Sequence, residues 1–170
     1  MKKNKAAGIL LLCYLVVVVW IILFKVATSV DTVKFFLEHP SRSLNLIPFG
    51  ESVIVNGKIY LQEIIYNTLI FVPFGGLLSL YDKRSSLIKK LFYIFSLSLL
   101  LETVQYVLGI GASDITDVLV NTLGGLIGLL IYQLLKHFVA EGKLDRLLLR
   151  LGSIIFLAGL LFICFMLLVN

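Results

Sequence analysis

Five long stretches that carry almost no charge constrain this chain more than any other feature. Each contains a run of 18 to 21 residues without Lys or Arg and with at most one acidic residue. A bilayer's hydrocarbon is crossed by about 20 residues of helix. Charged residues make up only 15% of the chain, too few to cover a soluble surface. The sequence therefore predicts an all-α membrane bundle of five transmembrane helices in one domain, 1–170, with spans at about 6–24, 61–81, 91–108, 115–135 and 151–169.

The basic residues predict the orientation of this bundle. Eleven of the 15 Lys and Arg residues lie before the first span or in the loops after spans two and four. Cytoplasmic loops collect Lys and Arg, so we expect a cytoplasmic N-terminus, a long outer loop at 25–59 and a multi-pass protein of the plasma membrane. The net charge of +5 is then explained by topology and by contact with membrane lipids. No nucleic-acid partner is expected.

Several acidic and amide residues lie within or beside the spans, where they are costly and therefore candidates for function. Their helical spacing places each set on one face of its helix, and we expect these faces to point inward. Counting about 1.5 Å per residue places one layer roughly 10 Å below the outer surface and another nearer to it. The deeper layer is Asn67, Glu102 and Asn121, and the shallower one is Glu63, Gln105 and Asp117. With Asp114 and the 45–50 loop, spans two, three and four are predicted to form an outward-facing polar pocket.

Proline and glycine residues are the structural candidates. Pro73 lies inside span two, where neighbouring helices can satisfy the freed backbone groups. Gly124 and Gly128 form a Gly-x-x-x-Gly pair that permits close helix approach, and we expect packing within one molecule more than a dimer seam. Residues 63–69 (EIIYNTL) and 117–123 (DVLVNTL) are alike, which indicates either a parallel repeat or a chance similarity.

The acidic and amide residues of the spans could serve more than one function. Acids and amides can simply join helices by interhelical hydrogen bonds. Glu63, Glu102 and Asp117 could instead hold a hard divalent cation, and in an intramembrane enzyme Glu102, Asp114 and Asp117 would be the catalytic candidates. A small transporter or accessory subunit with protonatable carboxylates, working as a homo-oligomer, is a third reading. No nucleophile elbow, phosphate loop or Cys–His pair is present, and no cofactor is expected.

Three segments in this order resemble the VanZ-like family of membrane proteins. They are residues 45–50 (NLIPFG, with Pro48), residues 67–75 (NTLIFVPFG, ending at Gly75), and Glu102-x-x-Gln105 followed by residues 111–124 (GASDITDVLVNTLG). Many members have an Arg shortly before the Asp-x-x-Asp pair. Gly111 and Ala112 stand there in this chain, so no role of that Arg is carried over.

The resemblance implies a polytopic membrane protein, and the family's best-known member gives low-level resistance to the glycopeptide teicoplanin. We therefore expect binding of an amphiphilic cell-envelope ligand, such as a lipid-linked wall precursor or a lipoglycopeptide. Amides would bond its polar head, and carboxylates would set the charge preference. The expected ligand-binding residues are Asn45, Glu63, Asn67, Glu102, Gln105, Asp114, Asp117 and Asn121.

Overall fold

The computed structural model describes residues 4–23, 31, 34–35, 38–50, 54–55, 58–59 and 61–169. Its long helices are α1 (Lys5–Leu23), α2 (Leu61–Tyr81), α3 (Leu87–Leu108), α4 (Ile115–Phe138) and α5 (Glu141–Val169). Its short strands are β1 (Ser41–Asn45), β2 (Ile54–Val55), β3 (Lys58–Ile59) and β4 (Ile110–Asp114). All five helices are long and apolar enough to cross a membrane, as the charge-poor stretches predict.

Two helices begin before the spans predicted from charge. Helix α3 starts at Leu87 rather than near 91, and its cap Ser86 accepts a hydrogen bond from the backbone N–H of Lys89. Helix α5 starts at Glu141, ten residues before the predicted span. A helix continues for several turns beyond the hydrocarbon, because its hydrogen bonds are internal and its charged turns can lie in water. The end of a charge-poor run therefore does not mark the end of the helix.

Helices α2 and α4 form the centre of the bundle and approach each other backbone to backbone. A Cβ added to Gly124 would lie 2.1 Å from the carbonyl oxygen of Thr68, and one on Gly128 would lie 2.0 Å from that of Val72. From the other side, a Cβ on Gly75 would lie 2.1 Å from the oxygen of Gly125. The contact of Gly124 with Thr68 is followed, four residues later in both helices, by the contact of Gly128 with Val72. The two helices therefore run in the same direction. The Gly-x-x-x-Gly pair thus lies at a seam inside the molecule.

The other helices surround this pair unequally. In both α2 and α4, 44% of the most hydrophobic 18-residue segment is buried inside the protein. In α5 the buried share of the corresponding segment is 6%. Helix α1 is joined to α2 by a hydrogen bond from the Tyr14 hydroxyl to the carbonyl oxygen of Ile70, at 2.9 Å. Helix α5 is thus a peripheral element, and the interior lies between α1, α2, α3 and α4.

A short parallel ladder joins the outer loop to the helix ends. Strand β1 pairs with β4 from Ser41 opposite Ile110 to Asn45 opposite Asp114. Gly109 caps the end of α3 with a positive φ of 65°. Its carbonyl oxygen accepts a hydrogen bond from the Ser41 N–H at 3.0 Å. The sequence did not predict this ladder, because five-residue strands beside strongly apolar helices leave no periodic signal. It holds β1 and the turn that follows it beside the end of α3 and the start of α4.

An ion-pair cluster lies at the opposite end of the bundle. Lys83, just after α2, donates hydrogen bonds to Glu141 and, at 2.6 Å, to Asp145, both on α5. Burial opposes the charge on Lys83, but the hydrogen bonds to Asp145 and Glu141 outweigh it and raise the pKa of the ammonium above its usual value. This cluster is a polar connection between the end of α2 and the peripheral helix.

Candidate functional site

Six of the eight predicted ligand-binding residues are buried inside the protein. Asn45 and Glu63 are partly exposed. The remaining six predicted residues are at least 94% buried: Asn67, Glu102, Gln105, Asp114, Asp117 and Asn121. The faces deduced from helical spacing are therefore the buried faces of their helices.

Asp114 is the point where three parts of the chain meet. Its backbone N–H donates to Glu102 Oε2 of α3 at 2.9 Å. Its side chain caps α4, because Oδ1 accepts from the Thr116 N–H at 2.8 Å. Its other oxygen, Oδ2, accepts from Asn45 Nδ2 of the outer loop at 3.2 Å. The Glu102 carboxylate is thus held against the backbone of Asp114, between the end of α3 and the start of α4.

The turn after β1 is fixed by side chains of the same cluster. Asn45 Oδ1 accepts from the Ile47 N–H at 3.0 Å, and the Thr116 hydroxyl accepts from the Phe49 N–H at 2.9 Å. Because these polar groups face inward, the apolar side chains of the turn face outward. Leu44, Leu46, Ile47 and Phe49 are all about half exposed or more. The loop therefore covers the polar cluster and presents an apolar outer surface.

The deeper residues form separate pairs and not the two expected layers. Asn67 Nδ2 donates to Asp117 Oδ1 across the α2–α4 seam at 2.7 Å, which joins one member of each predicted layer. Asn121 Nδ2 instead donates to the Ser98 hydroxyl of α3 at 2.9 Å. Counting residues gives the height of a side chain but not the neighbour that it faces. Asp117 faces α2 and Asn121 faces α3, so the layers divide into pairs.

Gln105, another of the predicted site residues, is hydrogen-bonded to α1 and not to the polar residues of α2 or α4. Its Nε2 donates to the backbone oxygen of Ile22, near the end of α1, at 2.9 Å. Its position indicates that it joins α3 to α1.

A cleft of about 150 Å³ opens beside Glu102 and Asp114. Its walls combine apolar and polar side chains from α3, the start of α4 and the outer loop, among them Leu44, Leu46, Leu99, Thr103, Tyr106 and Ser113. Among the described residues, none from α2 lines it. This cleft thus differs in its lining from the pocket predicted between spans two, three and four, which stays a prediction. The reason is that α2 is held at the glycine seam of α4 and Asn67 is bonded to Asp117.

Sequence reasoning missed several residues around the cluster. Ser98 lies one helical turn from Glu102, a spacing that could have identified it. Thr116 follows the Asp114 cap, and its hydroxyl has no distinguishing signal among the many Ser and Thr residues of the chain. Ser113 and Thr103 were likewise visible only once the cleft was known.

The carboxylates do not come together as a metal site. Across the described ranges, no three His, Cys, Asp or Glu side chains are grouped so that they could hold a metal ion. Glu63, Glu102 and Asp117 are thus not a ligand set in this arrangement. Glu102 is hydrogen-bonded to the start of α4, and Asp117 is bonded to Asn67.

Five membrane-length helices around a buried acid–amide cluster define a polytopic helical membrane protein with a polar site where α3 ends and α4 begins. The family model described as VanZ/LLP1 matches residues 11–136, which contain the whole cluster. The chain belongs to the VanZ/LLP1 family, which confirms the resemblance seen in its motifs. It is 38% identical over 155 residues to Protein VanZ of Enterococcus faecium, covering 91% of this chain and 90% of that protein. No solved structure matches it.

Proposed function

We propose that this protein lies in the plasma membrane with its N-terminus in the cytoplasm and binds the head of an amphiphile at the outer leaflet. The orientation rests on the excess of Lys and Arg in the loops assigned to the inside. With this orientation, the cleft beside Glu102 lies at the outer helix ends. An amphiphile there has its head at the level of the polar cluster and its chain beside the apolar helix surfaces.

The observation that carries the proposal is the combination of buried carboxyl groups and exposed apolar walls in one cleft. Glu102 and Asp114 are 2% and 6% exposed, yet both line the cleft. At its walls, Leu44 is 53% exposed and Leu99 is 44% exposed. A water-facing pocket would not need apolar side chains at its mouth. A cleft that opens sideways to lipid needs them.

The size of the cleft limits what it can hold. Pockets for complete small molecules typically measure about 300–1,000 Å³, and this cleft measures about 150 Å³. It is suited to a head group or the first few carbons of a chain, with the remainder lying in the bilayer. This favours a long-chain amphiphile over a soluble substrate.

The charge of the cleft favours a head that donates hydrogen bonds. Glu102 and Asp114 supply acceptor oxygens, and like charges in a poorly solvated site repel strongly. An amine, a hydroxyl or an amide is therefore preferred to a phosphate. Between the two ligands expected from sequence, this favours a lipoglycopeptide over a lipid-linked precursor bound through its phosphate groups.

Resistance to teicoplanin is the phenotype that we propose for this chain, on the strength of its family. The test is the minimal inhibitory concentration of teicoplanin in a susceptible Gram-positive host that expresses the protein. Glu102→Gln should remove the protection, because it changes one oxygen of the cleft from an acceptor to a donor. Glu63→Gln is the matched control, since Glu63 lies at the same end of the bundle but does not line the cleft.

Immunoblots of the membrane fraction separate function from folding. If the Glu102→Gln protein is present at the wild-type level and protection is lost, the proposal is supported. Full protection with Glu102→Gln, or equal loss with Glu63→Gln at normal abundance, would contradict it.

Binding is tested separately with the purified protein in nanodiscs. A fluorescent dodecylamine should bind, and a dodecyl phosphate with the same label should bind more weakly. A charge-assisted hydrogen bond is worth about 1.5–3 kcal/mol, so Glu102→Gln should weaken amine binding by about 10- to 150-fold. Equal affinity of wild type and Glu102→Gln for the amine would exclude Glu102 as the head-group acceptor.

A further inference from the structure

An apolar groove of about 150 Å³ lies where α2, α4 and α5 meet, in the half of the bundle that contains the ion pairs of Lys83. Its walls include Val72, Leu77, Ile131, Tyr132, Leu148 and Leu151. Leu77 and Tyr132 are at least 95% buried, whereas Ile131 and Leu151 are nearly half exposed. The groove thus has a buried floor and an open rim. Because all three helices are of membrane length, we expect the rim to face lipid.

The lining of the groove favours hydrocarbon over water. Apart from Tyr132, the described residues that line it are glycine, proline or aliphatic. An apolar cavity of about 150 Å³ stays free of water and binds a hydrocarbon the size of benzene. Space is also left at Gly76, where an added Cβ would have no neighbour closer than 4.0 Å. The groove therefore has room for about six carbons of a single chain.

The Tyr132 hydroxyl at the floor of the groove lacks an acceptor. It is sealed from solvent and makes no hydrogen bond with any residue that the structure describes. Lys83 and Asp145 are among the charged groups that act on it. The Lys83 ammonium can only donate, and it is already bonded to Asp145. Asp145 Oδ1 is itself without a donor, so it does not accept from Tyr132. A buried hydroxyl proton without an acceptor is costly.

The level of this hydroxyl indicates which acceptor can reach it. Tyr132 lies four residues before Lys136, which is about 6 Å along the helix. The Lys136 ammonium is half exposed and lies 4.0 Å from the Glu141 carboxylate, so this turn belongs to the charged layer of the bundle. The hydrocarbon of a bilayer gives way to its head groups at such a level. The ester carbonyls of phospholipids lie at the same boundary, and they can only accept.

We propose that the groove binds one acyl chain of a bilayer glycerophospholipid, whose ester carbonyl accepts a hydrogen bond from the Tyr132 hydroxyl. The chain enters through the rim, and its first carbons fill the apolar volume. It adds contacts between the α2–α4 centre and α5, the helix that is least buried inside the protein. The site is separate from the cleft beside Glu102 and does not depend on its function.

The test removes each half of the proposed hydrogen bond in turn. The full chain is reconstituted in nanodiscs with equal amounts of diacyl and dialkyl phosphatidylcholine of the same chain length. The dialkyl lipid lacks the carbonyl, and native mass spectrometry counts the retained molecules of each. Wild type should retain the ester lipid over the ether lipid by about 2- to 12-fold, the range for a neutral hydrogen bond. Tyr132→Phe should retain both equally and keep the wild-type Tm in pure dialkyl lipid.

Tyr14→Phe is the matched control for the hydroxyl. Tyr14 is also 95% buried, but its hydroxyl is bonded within the protein, to the backbone oxygen of Ile70. Its loss should lower the Tm and leave the preference for the ester lipid unchanged. A structural effect of removing a buried hydroxyl is thereby distinguished from the loss of a lipid contact.

A second pair of variants tests the groove itself. Gly76→Leu adds a side chain where the groove has space, and it should lower retention of both lipids. Gly142→Leu adds the same side chain in the first turn of α5, where a Cβ would meet nothing within 4 Å, and it should retain lipid as wild type does. If Gly76→Leu fails to fold, the ester preference of Tyr132→Phe decides the question.

Three results would overturn the proposal. They are a wild-type protein that retains no lipid or retains ester and ether lipids equally, an ester preference that survives Tyr132→Phe, and equal losses of lipid with Gly76→Leu and Gly142→Leu.

Discussion

The glycine seam between α2 and α4 yields the sharpest prediction of stability. A Cβ on Gly75 would lie 2.1 Å from the backbone oxygen of Gly125, whereas ordinary contacts of this kind begin at 3.4 Å. The obstacle is backbone, so no side-chain rotation can relieve it, and Gly75→Ala must separate the helices by more than 1 Å.

The magnitude follows from two opposing effects. Alanine is favoured over glycine inside a helix by about 0.5–1 kcal/mol, and overpacking of a tight interior typically costs about 1–3 kcal/mol. Because rigid backbone is displaced and the neighbouring Gly124 and Gly128 contacts open with it, we expect the upper part of that range. The net loss for Gly75→Ala should be about 1–2 kcal/mol.

The adjacent glycine is a control within the same helix. A Cβ on Gly76 would meet nothing closer than the Gly128 oxygen, at 4.0 Å. Gly76→Ala should therefore be neutral or stabilising by about 0.5–1 kcal/mol. Reversible unfolding by sodium dodecyl sulfate in mixed micelles, followed by circular dichroism, measures both variants. Equal stability of Gly75→Ala and wild type, or equal damage by both substitutions, would refute the close approach of α2 and α4.

Three further predictions concern individual contacts. Asn67→Leu should cost about 1–2 kcal/mol in the same unfolding assay, because Asp117 loses its amide donor, and Asp117→Asn should cost less because it keeps an acceptor oxygen. Gly109→Ala should cost about 1–2 kcal/mol, since φ is positive and the new Cβ would lie 2.6 Å from Pro40 Cβ; an unchanged stability would exclude this cap geometry. Lys83→Met should weaken the attachment of α5 to the bundle, because the ion pairs with Glu141 and Asp145 are lost. Proteolysis of the α4–α5 connection should then be faster, and an unchanged cleavage rate would show that these ion pairs do not hold α5 in place.

The sequence was sufficient for the features that lipid imposes. A bilayer offers no hydrogen bonds, so Asn67, Glu102 and Asn121 had to face inward, and their helical spacing identified the faces. The number of helices followed in the same way from the length of the charge-poor runs. These inferences needed only the chemistry of the solvent around the chain.

The sequence was insufficient wherever a partner had to be chosen. Asn67 could have bonded any polar group at its depth, and it bonds Asp117 because the glycine contacts bring α4 against α2. Gln105 is bonded to the backbone oxygen of Ile22, a partner available in every helix end and therefore invisible in sequence. The β1–β4 ladder, which decides that the outer loop and not α2 closes the cleft, depends on pairing between segments that lie 69 residues apart.

The location of the bound amphiphile tests the account most directly. A dodecylamine that carries a photoreactive diazirine in its chain is cross-linked to the protein in nanodiscs, and the labelled residues are mapped by mass spectrometry. The account predicts adducts at cleft walls such as Leu44, Leu99 and Tyr106, and their loss in Glu102→Gln. Adducts spread evenly over lipid-facing residues of α5, or unchanged by Glu102→Gln, would contradict a binding site at the outer ends of α3 and α4.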